Sequence, residues 1–398
     1  MTRRIETVIV CLLVAITALA DSINSAPVTI SLITCYPGRE VYELYGHTQI
    51  RVTQGNSDYA FNYGLFDFDA PNFVYRFVKG QTDYMVAGFP ASMMLNGYER
   101  RKVVEQVLNL SQQQAIMVRD MLYENAQPQN AMYRYNYIYD NCSIRPRNII
   151  ERATGGTLRY PAMPDTLTFR HEMARYNINY PWMQFGIDLA LGSGLDFTLD
   201  YRQQMFVPMV MMRAFGGATI ERDGKRVPLV ARTTVINPGK EEGDVLAPTP
   251  WFMTPLAVTW LFLIIVAGMS VRDIKRGEVC RWFDCTMFTI YALGGCLIFF
   301  LIFVSTHAAT SPNLNGVWLN PFYFIPAVAI WIKSVKKPLY YYHFANFAVL
   351  IVLLLAWFLQ PQEANAAFFP LIIASATRSL NYLVINRKCI RKAIPTGC

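Results

Sequence analysis

Charge is scarce in this 398-residue chain: 16% of its residues are Asp, Glu, Lys or Arg, against about 25% in an ordinary soluble domain. Histidine is scarcer still, with four residues. The eight cysteines show no C-x-x-C pair or other zinc-ligand spacing, so no metal or cofactor is expected. No internal repeat is present. A hydrophobic share of 53% excludes a disordered chain, a collagen and a small disulfide scaffold. Acidic residues nearly vanish after residue 248, where only Asp273, Glu278, Asp284 and Glu363 remain beside twelve Lys and Arg. Residues 1–248 carry 24 charges of each sign, so the whole net charge of +8 lies in the second part. The first part has no basic excess for a polyanion, and no nucleic-acid partner is expected.

Long uncharged runs dominate the second part. Trp251–Val271 has no charge, and neither do the 48 residues from Cys285 to Ile332. Five transmembrane helices are predicted at about 251–271, 285–304, 317–332, 341–359 and 366–385. Lys and Arg follow the first span (Arg272, Lys275, Arg276, Arg281), the third (Lys333, Lys336, Lys337) and the last (Arg387, Lys388, Arg391, Lys392). The loops 305–316 and 360–365 have none. By the positive-inside rule the preceding domain is exported and the C-terminus is cytoplasmic. Arg378 lies inside the last span, where it either snorkels or pairs with a polar group.

Residues 1–20 read as a secretory signal, with Arg3 and Arg4, an apolar run and an Ala18-Leu19-Ala20 cleavage site; an uncleaved anchor is the alternative. Residues 21–250 then form an exported soluble domain, ending in a linker at Lys240–Pro250, and 251–398 the membrane domain. Strands are expected at Thr29–Thr34, Thr48–Thr53, Tyr59–Phe66 and Asn72–Val78. Ser111 and Gln114 make a capping box opening a helix to about Asn125, and a second helix runs from near Cys142 to Gly155-Gly156. Helical patterns recur at Leu167–Tyr176, Trp182–Leu191 and Tyr201–Phe215. The expected class is α+β, an antiparallel sheet with packed helices, followed by an all-α membrane bundle.

Only Cys35 and Cys142 fall in the exported domain. Such a pair suggests a disulfide; a reactive thiol is the equal alternative. Pro146 confines the start of its helix to about Cys142, putting the sulfur at a helix N-terminus with Arg145 and Arg147 nearby, a setting that favours thiolate. His47, beside Gly46, lies on one strand and Asn62 on the next, and a Cys–His pair needs a third polar group to orient the base. Taken singly, such a His or Asn is more often a structural hydrogen-bonder.

A His on one strand, a polar residue on the next and Asn141-Cys142 at a later helix start resemble the permuted papain-like fold of lecithin:retinol acyltransferase-like and NlpC-like proteins. The segments Leu32–Gly38, Gly46-His47-Thr48, Phe61–Phe68, Tyr139–Ser143, Pro181–Asp188 and Pro312–Trp318 are together similar to the Lnb-type lipoprotein N-acyltransferases of Gram-negative bacteria. That resemblance implies Cys142 as nucleophile, His47 as base and Asn62 as orienting group. It implies a phospholipid acyl donor, a diacylated lipoprotein acceptor and an inner-membrane location with the catalytic domain in the periplasm. Asn141, Arg145, His307, Asn315 and Trp318 are weaker candidates for substrate contact. Two rival readings are a membrane-tethered cysteine peptidase or amidase acting on peptidoglycan, and a non-catalytic lipid-binding assembly protein with a Cys35–Cys142 disulfide.

Overall fold

A computed structural model describes residues 26–98, 100–163, 165–240 and 243–392. The signal segment lies outside the described residues, as do Cys11 and part of the 240–250 linker. In chain order the elements are β1 (Val28–Cys35), β2 (His47–Gln54), β3 (Ser57–Leu65), α1 (Phe73–Lys79), β4 (Asp83–Pro90), β5 (Val103–Leu108), α2 (Gln112–Asn125), β6 (Met132–Arg134) and α3 (Ile144–Ala153). Then follow α4 (Phe169–Tyr176), α5 (Pro181–Ala190), α6 (Pro208–Gly216), β7 (Thr219–Arg222), β8 (Lys225–Pro228), β9 (Val230–Asn237), α7 (Pro255–Arg276), α8 (Arg281–Phe303), α9 (Lys336–Ala356) and α10 (Phe368–Lys392). The class is α+β, as the sequence predicts. The chain divides into two compact units: the first takes in residues up to Phe73, Gln81–Thr166 and Leu199–Leu246, and the second Val74–Gly80, Leu167–Thr198 and the chain from Ala247 on.

Unit 1 is built on a seven-stranded antiparallel sheet in the order β6-β4-β3-β2-β1-β5-β9. Central β1 is buried on both faces, so its apolar run Ile30, Leu32, Ile33 and Cys35 reads almost continuously rather than alternating. The capping box forms as expected: the Ser111 hydroxyl accepts from Gln114 N and the Gln114 side chain accepts from Ser111 N. α3 ends before Gly155 and Gly156, as its sequence predicts. The predicted helix at Tyr201–Phe215 is interrupted before Pro208, which opens α6 at its first position.

One predicted strand is wrong. Asn72–Val78 forms α1 instead. β-Propensity measures fit to a pleated, half-buried surface, and this segment pairs with no strand; from Val74 on it belongs to unit 2.

Unit 2 is helical, and among the described residues four helices are long and apolar enough to cross a membrane: α7, α8, the 333–359 segment containing α9, and α10. The predicted third span, 317–332, is not one helix. It comprises a short helix at Asn315–Trp318, a 3-10 turn at Pro321–Tyr323 and a short helix at Phe324–Ala329. Pro321 and Pro326 remove backbone donors, and Asn320 takes up the slack: its amide donates to Val317 O and its carbonyl accepts from Phe322 N. Broken helix of this kind is tolerated at membrane depth where protein covers it.

Arg378 pairs rather than snorkels. Fully buried on α10, it donates to Asp273 Oδ2 of α7 at 2.7 Å, to Asp284 Oδ1 of α8 at 2.5 Å and to Ser270 Oγ at 3.0 Å. Three helices are thus tied through one guanidinium. Removing one member of a buried charge cluster leaves the others unpaired, so Arg378→Ala is expected to lower the stability of the bundle by about 3–5 kcal/mol. A thermal-unfolding scan of the purified protein in detergent checks this; a melting temperature unchanged from the parent chain contradicts it.

Candidate active site

The site in unit 1 starts from register. β2 and β3 pair Gln49 with Asn62. His47 lies two residues before Gln49 and so on the same face, one diagonal step from Asn62. His47 Nε2 and Asn62 Oδ1 are 2.6 Å apart. The amide oxygen only accepts, so Nε2 carries the proton and Nδ1 keeps its lone pair. On the other side of His47, Cys35 of β1 is its direct cross-strand partner. Gly46 adopts φ +80°, and a Cβ there would stand 2.7 Å from the Cys35 carbonyl oxygen, which explains the glycine before His47.

Cys142 lies in the turn before α3. The backbone N–H groups of Thr48 and of Cys142 itself and the Tyr135 hydroxyl are the polar groups around its sulfur that favour thiolate. Thr48 follows His47, so nucleophile and base share one strand end. Room for this comes from Gly64 on β3, where a bulge shifts the register between Tyr63 and Leu65. At φ +90°, a Cβ on Gly64 would sit 3.3 Å from the Tyr135 ring and 3.8 Å from Cys142 Cβ. Tyr135 is held by stacking on Tyr84, with centroids 4.1 Å apart.

The thiol is not the ready thiolate that its position suggests. Burial pushes the Cys142 thiol up to about 11, although all three donors pull the other way. The helix start that would favour thiolate is already occupied: Asn141 Oδ1 accepts from Ser143 N at 2.9 Å and from Ile144 N at 3.0 Å. Arg145 is held by Asp140 through two 2.7 Å hydrogen bonds and lies 3.5 Å over the Tyr133 ring. Arg147 donates to Asn148 Oδ1 and to the Arg202 carbonyl at 2.5 Å. Burial likewise pushes His47 down to about 4, opposed by the Asn62 hydrogen bond and reinforced by the nearby Arg101 guanidinium. Arg101 is itself buried, donating to Tyr36 O and Glu43 Oε1. The resting pair is therefore a neutral thiol and a neutral imidazole. Cys35 is fully buried, and its thiol rises to about 12. It and Cys142 are both free thiols.

Residues 17–170 match the family model described as the Lnb N-terminal periplasmic domain, and residues 247–389 match the Lnb transmembrane domain; these are 154 and 143 of the 398 residues. The chain belongs to the Lnb family. It is accordingly a lipoprotein N-acyltransferase-type membrane protein, with membrane helices after a periplasmic domain. Neither a curated protein nor a solved structure matches it.

Within the Lnb periplasmic match the structure brings together Cys142, His47, Asn62, Asn141 and Arg145. Asn141 is fully engaged, since its amide also donates to Tyr137 O and Phe206 O. His307, Asn315 and Trp318 belong to the Lnb transmembrane match and to unit 2. Trp318 is buried and donates to Asn315 Oδ1 at 2.9 Å; Asn315 Nδ2 donates to Asp188 O and Leu189 O at the end of α5. His307 Nε2 donates to Phe77 O at 2.8 Å. These three tie segments of unit 2 together. Sequence reading misses Tyr135 and the Thr48 N–H. A tyrosine seven residues before a cysteine carries no spacing signal, and a backbone donor carries none at all.

The pH dependence follows from the His47 value. An imidazole accepts a proton only when neutral, which is the state above its pKa. Any activity relying on it is expected to hold to about pH 5 and to fall as His47 protonates near 4, rather than near the ordinary 6.5. Asn62→Asp keeps the acceptor but adds a charge that favours imidazolium, and is expected to move this acid limb upward by about 1–3 units. A pH–rate profile of both forms checks it; an acid limb near 6.5 in the parent chain contradicts it.

Proposed function

We propose that this chain transfers an acyl group from a phospholipid to the α-amine of the N-terminal diacylglyceryl-cysteine of lipoproteins, through a thioester on Cys142. The observation that carries this reading is a buried cysteine whose sulfur faces the N–H of Thr48, the residue after a histidine whose Nε2 is taken up by Asn62, in a chain bearing both Lnb domains. His47 Nδ1 takes the thiol proton as the sulfur bonds to the ester carbonyl carbon. The oxyanion is stabilised by donors among Thr48 N–H, Cys142 N–H and the Tyr135 hydroxyl, which converge on the sulfur. As the tetrahedral adduct collapses, the glycerol oxygen leaves with the proton from His47, giving a lysophospholipid and an acyl-enzyme. The lipoprotein amine then attacks the thioester carbon, its proton passes to His47, and the sulfur leaves and regains a proton. The two half-reactions consume no nucleotide.

A cytoplasmic C-terminus is part of this reading: the Lys and Arg loops support it, with the discontinuous segment 315–332 taking the chain across from the uncharged loop 305–316 to Lys333–Lys337. Mass analysis of lipoprotein N-termini from cells with and without this gene tests the activity. Triacylated termini that become diacylated on deletion support it; identical termini in both strains overturn it.

A further inference from the structure

The helix that replaces a predicted strand has an unusual surface. α1 (Phe73–Lys79) shows Val74 73% exposed, with Tyr75 and Phe77 also exposed. Within unit 2 its last carbonyls, normally left to water, are bonded to the segment that follows α8. Phe77 O accepts from His307 Nε2 at 2.8 Å, Val78 O from Ser305 Oγ at 2.8 Å and Lys79 O from Thr306 N at 2.9 Å. Tyr75 packs on Phe300 of α8, with centroids 6.0 Å apart. α1 is thus fixed to the end of a membrane-length helix whose terminal Phe303 is 73% exposed.

A second apolar group sits at the start of α7. Trp251, Phe252 and Met253 are exposed, and Trp182 donates its Nε1–H to Met253 O at 2.8 Å. α7 and α8 are 22 and 23 residues long and are joined by four residues, so if both span, the Pro255 and Phe303 ends emerge on one side. Each is about 33–35 Å long at 1.5 Å per residue, enough for a hydrocarbon core of about 30 Å and little more. Residues attached at those ends stand at headgroup depth, where tryptophan and tyrosine are enriched.

We propose that α1, together with Trp182 and Trp251–Met253, is an interfacial collar seated in the headgroup–acyl boundary of the periplasmic leaflet, its partner being phospholipid. Tyr75 packs on Phe300, one turn before the exposed Phe303 and Val304 at the end of α8, so the occupant that covers this end of α8 also covers α1. No acidic residue lies on α1, while Arg76 and Lys79 lie in its last turn, a composition compatible with phosphate headgroups. Residues 74–80 fall inside the match to the periplasmic domain, yet this places them in the membrane interface. The inference is independent of the chemistry at Cys142.

Photo-crosslinking tests it. p-Benzoylphenylalanine replaces Val74, Phe77 or, as a lipid-facing reference in α8, Leu297, each in the full chain in vesicles of phosphatidylethanolamine and phosphatidylglycerol. After irradiation, adducts of phospholipid mass at positions 74 and 77 are expected at a yield within about tenfold of position 297. Lipid adducts at 297 but none at 74 and 77 overturn the proposal, as do adducts at 74 and 77 that are exclusively protein.

Discussion

Cys142→Ser is expected to lower lipoprotein N-acylation by about 10⁴-fold or more, to the level of the uncatalysed background. Two steps fail together. A serine hydroxyl ionises far less readily than a thiol, and this site offers no resting ion pair to help it, because Arg145 and the start of α3 are occupied by Asp140 and Asn141. An oxygen ester formed there would also resist the lipoprotein amine, since an alkoxide leaves far less readily than a thiolate. Cys35 cannot substitute: it is fully buried and its thiol lies at about 12. Transfer measured on purified protein with a diacylglyceryl-cysteine peptide checks the loss. Retention of even a tenth of the parent rate contradicts a nucleophilic role.

His47→Ala is expected to lower kcat/KM by about 10³-fold near neutral pH, with a distinctive recovery. With the Cys142 thiol pushed up to about 11, roughly one molecule in 3,000 is thiolate at pH 7.5. The parent chain escapes that limit because His47 removes the proton during attack. The variant must rely on the preformed thiolate, so its rate is expected to rise about tenfold per pH unit toward 11. The parent chain gains little over the same range. Were the helix start alone enough to keep Cys142 ionised at neutral pH, the variant would be slow but nearly flat with pH. The slope therefore reports whether burial or the helix start governs the thiol once the imidazole is gone.

The sheet was legible because β1, β2 and β3 are short runs of β-branched and aromatic residues, and antiparallel neighbours bring His47 and Asn62 within one diagonal step. The local rule that placed Cys142 at a helix start was also sound, since it depends only on Pro146. What the local rule missed is competition for the same groups. Asn141 takes the N–H groups and Asp140 takes Arg145, and neither contact has a spacing signature. α1 read as a strand because its residues suit any half-buried apolar surface, and its contacts with the 300–307 segment, which no neighbouring strand supplies, carry no spacing signal. Residues 317–332 read as a span because composition ignores Pro321 and Pro326. The division of the chain into units could not be read at all: Val74–Gly80 and Leu167–Thr198 look exported by composition, yet they fall in one unit with the chain from Ala247 on, bonded to His307, Asn313 and Asn315 between the long helices.

Ping-pong transfer requires a phospholipid acyl chain to rest on Cys142 between the two half-reactions. Incubating the purified full-length protein with phosphatidylethanolamine, without acceptor, and mapping it by mass spectrometry measures this directly. The expected result is one acyl chain on the peptide containing Cys142, removed by neutral hydroxylamine and discharged on adding a diacylglyceryl-cysteine peptide. N-acylation of that peptide by protein that never carries an acyl group on Cys142 would rule out the acyl-enzyme.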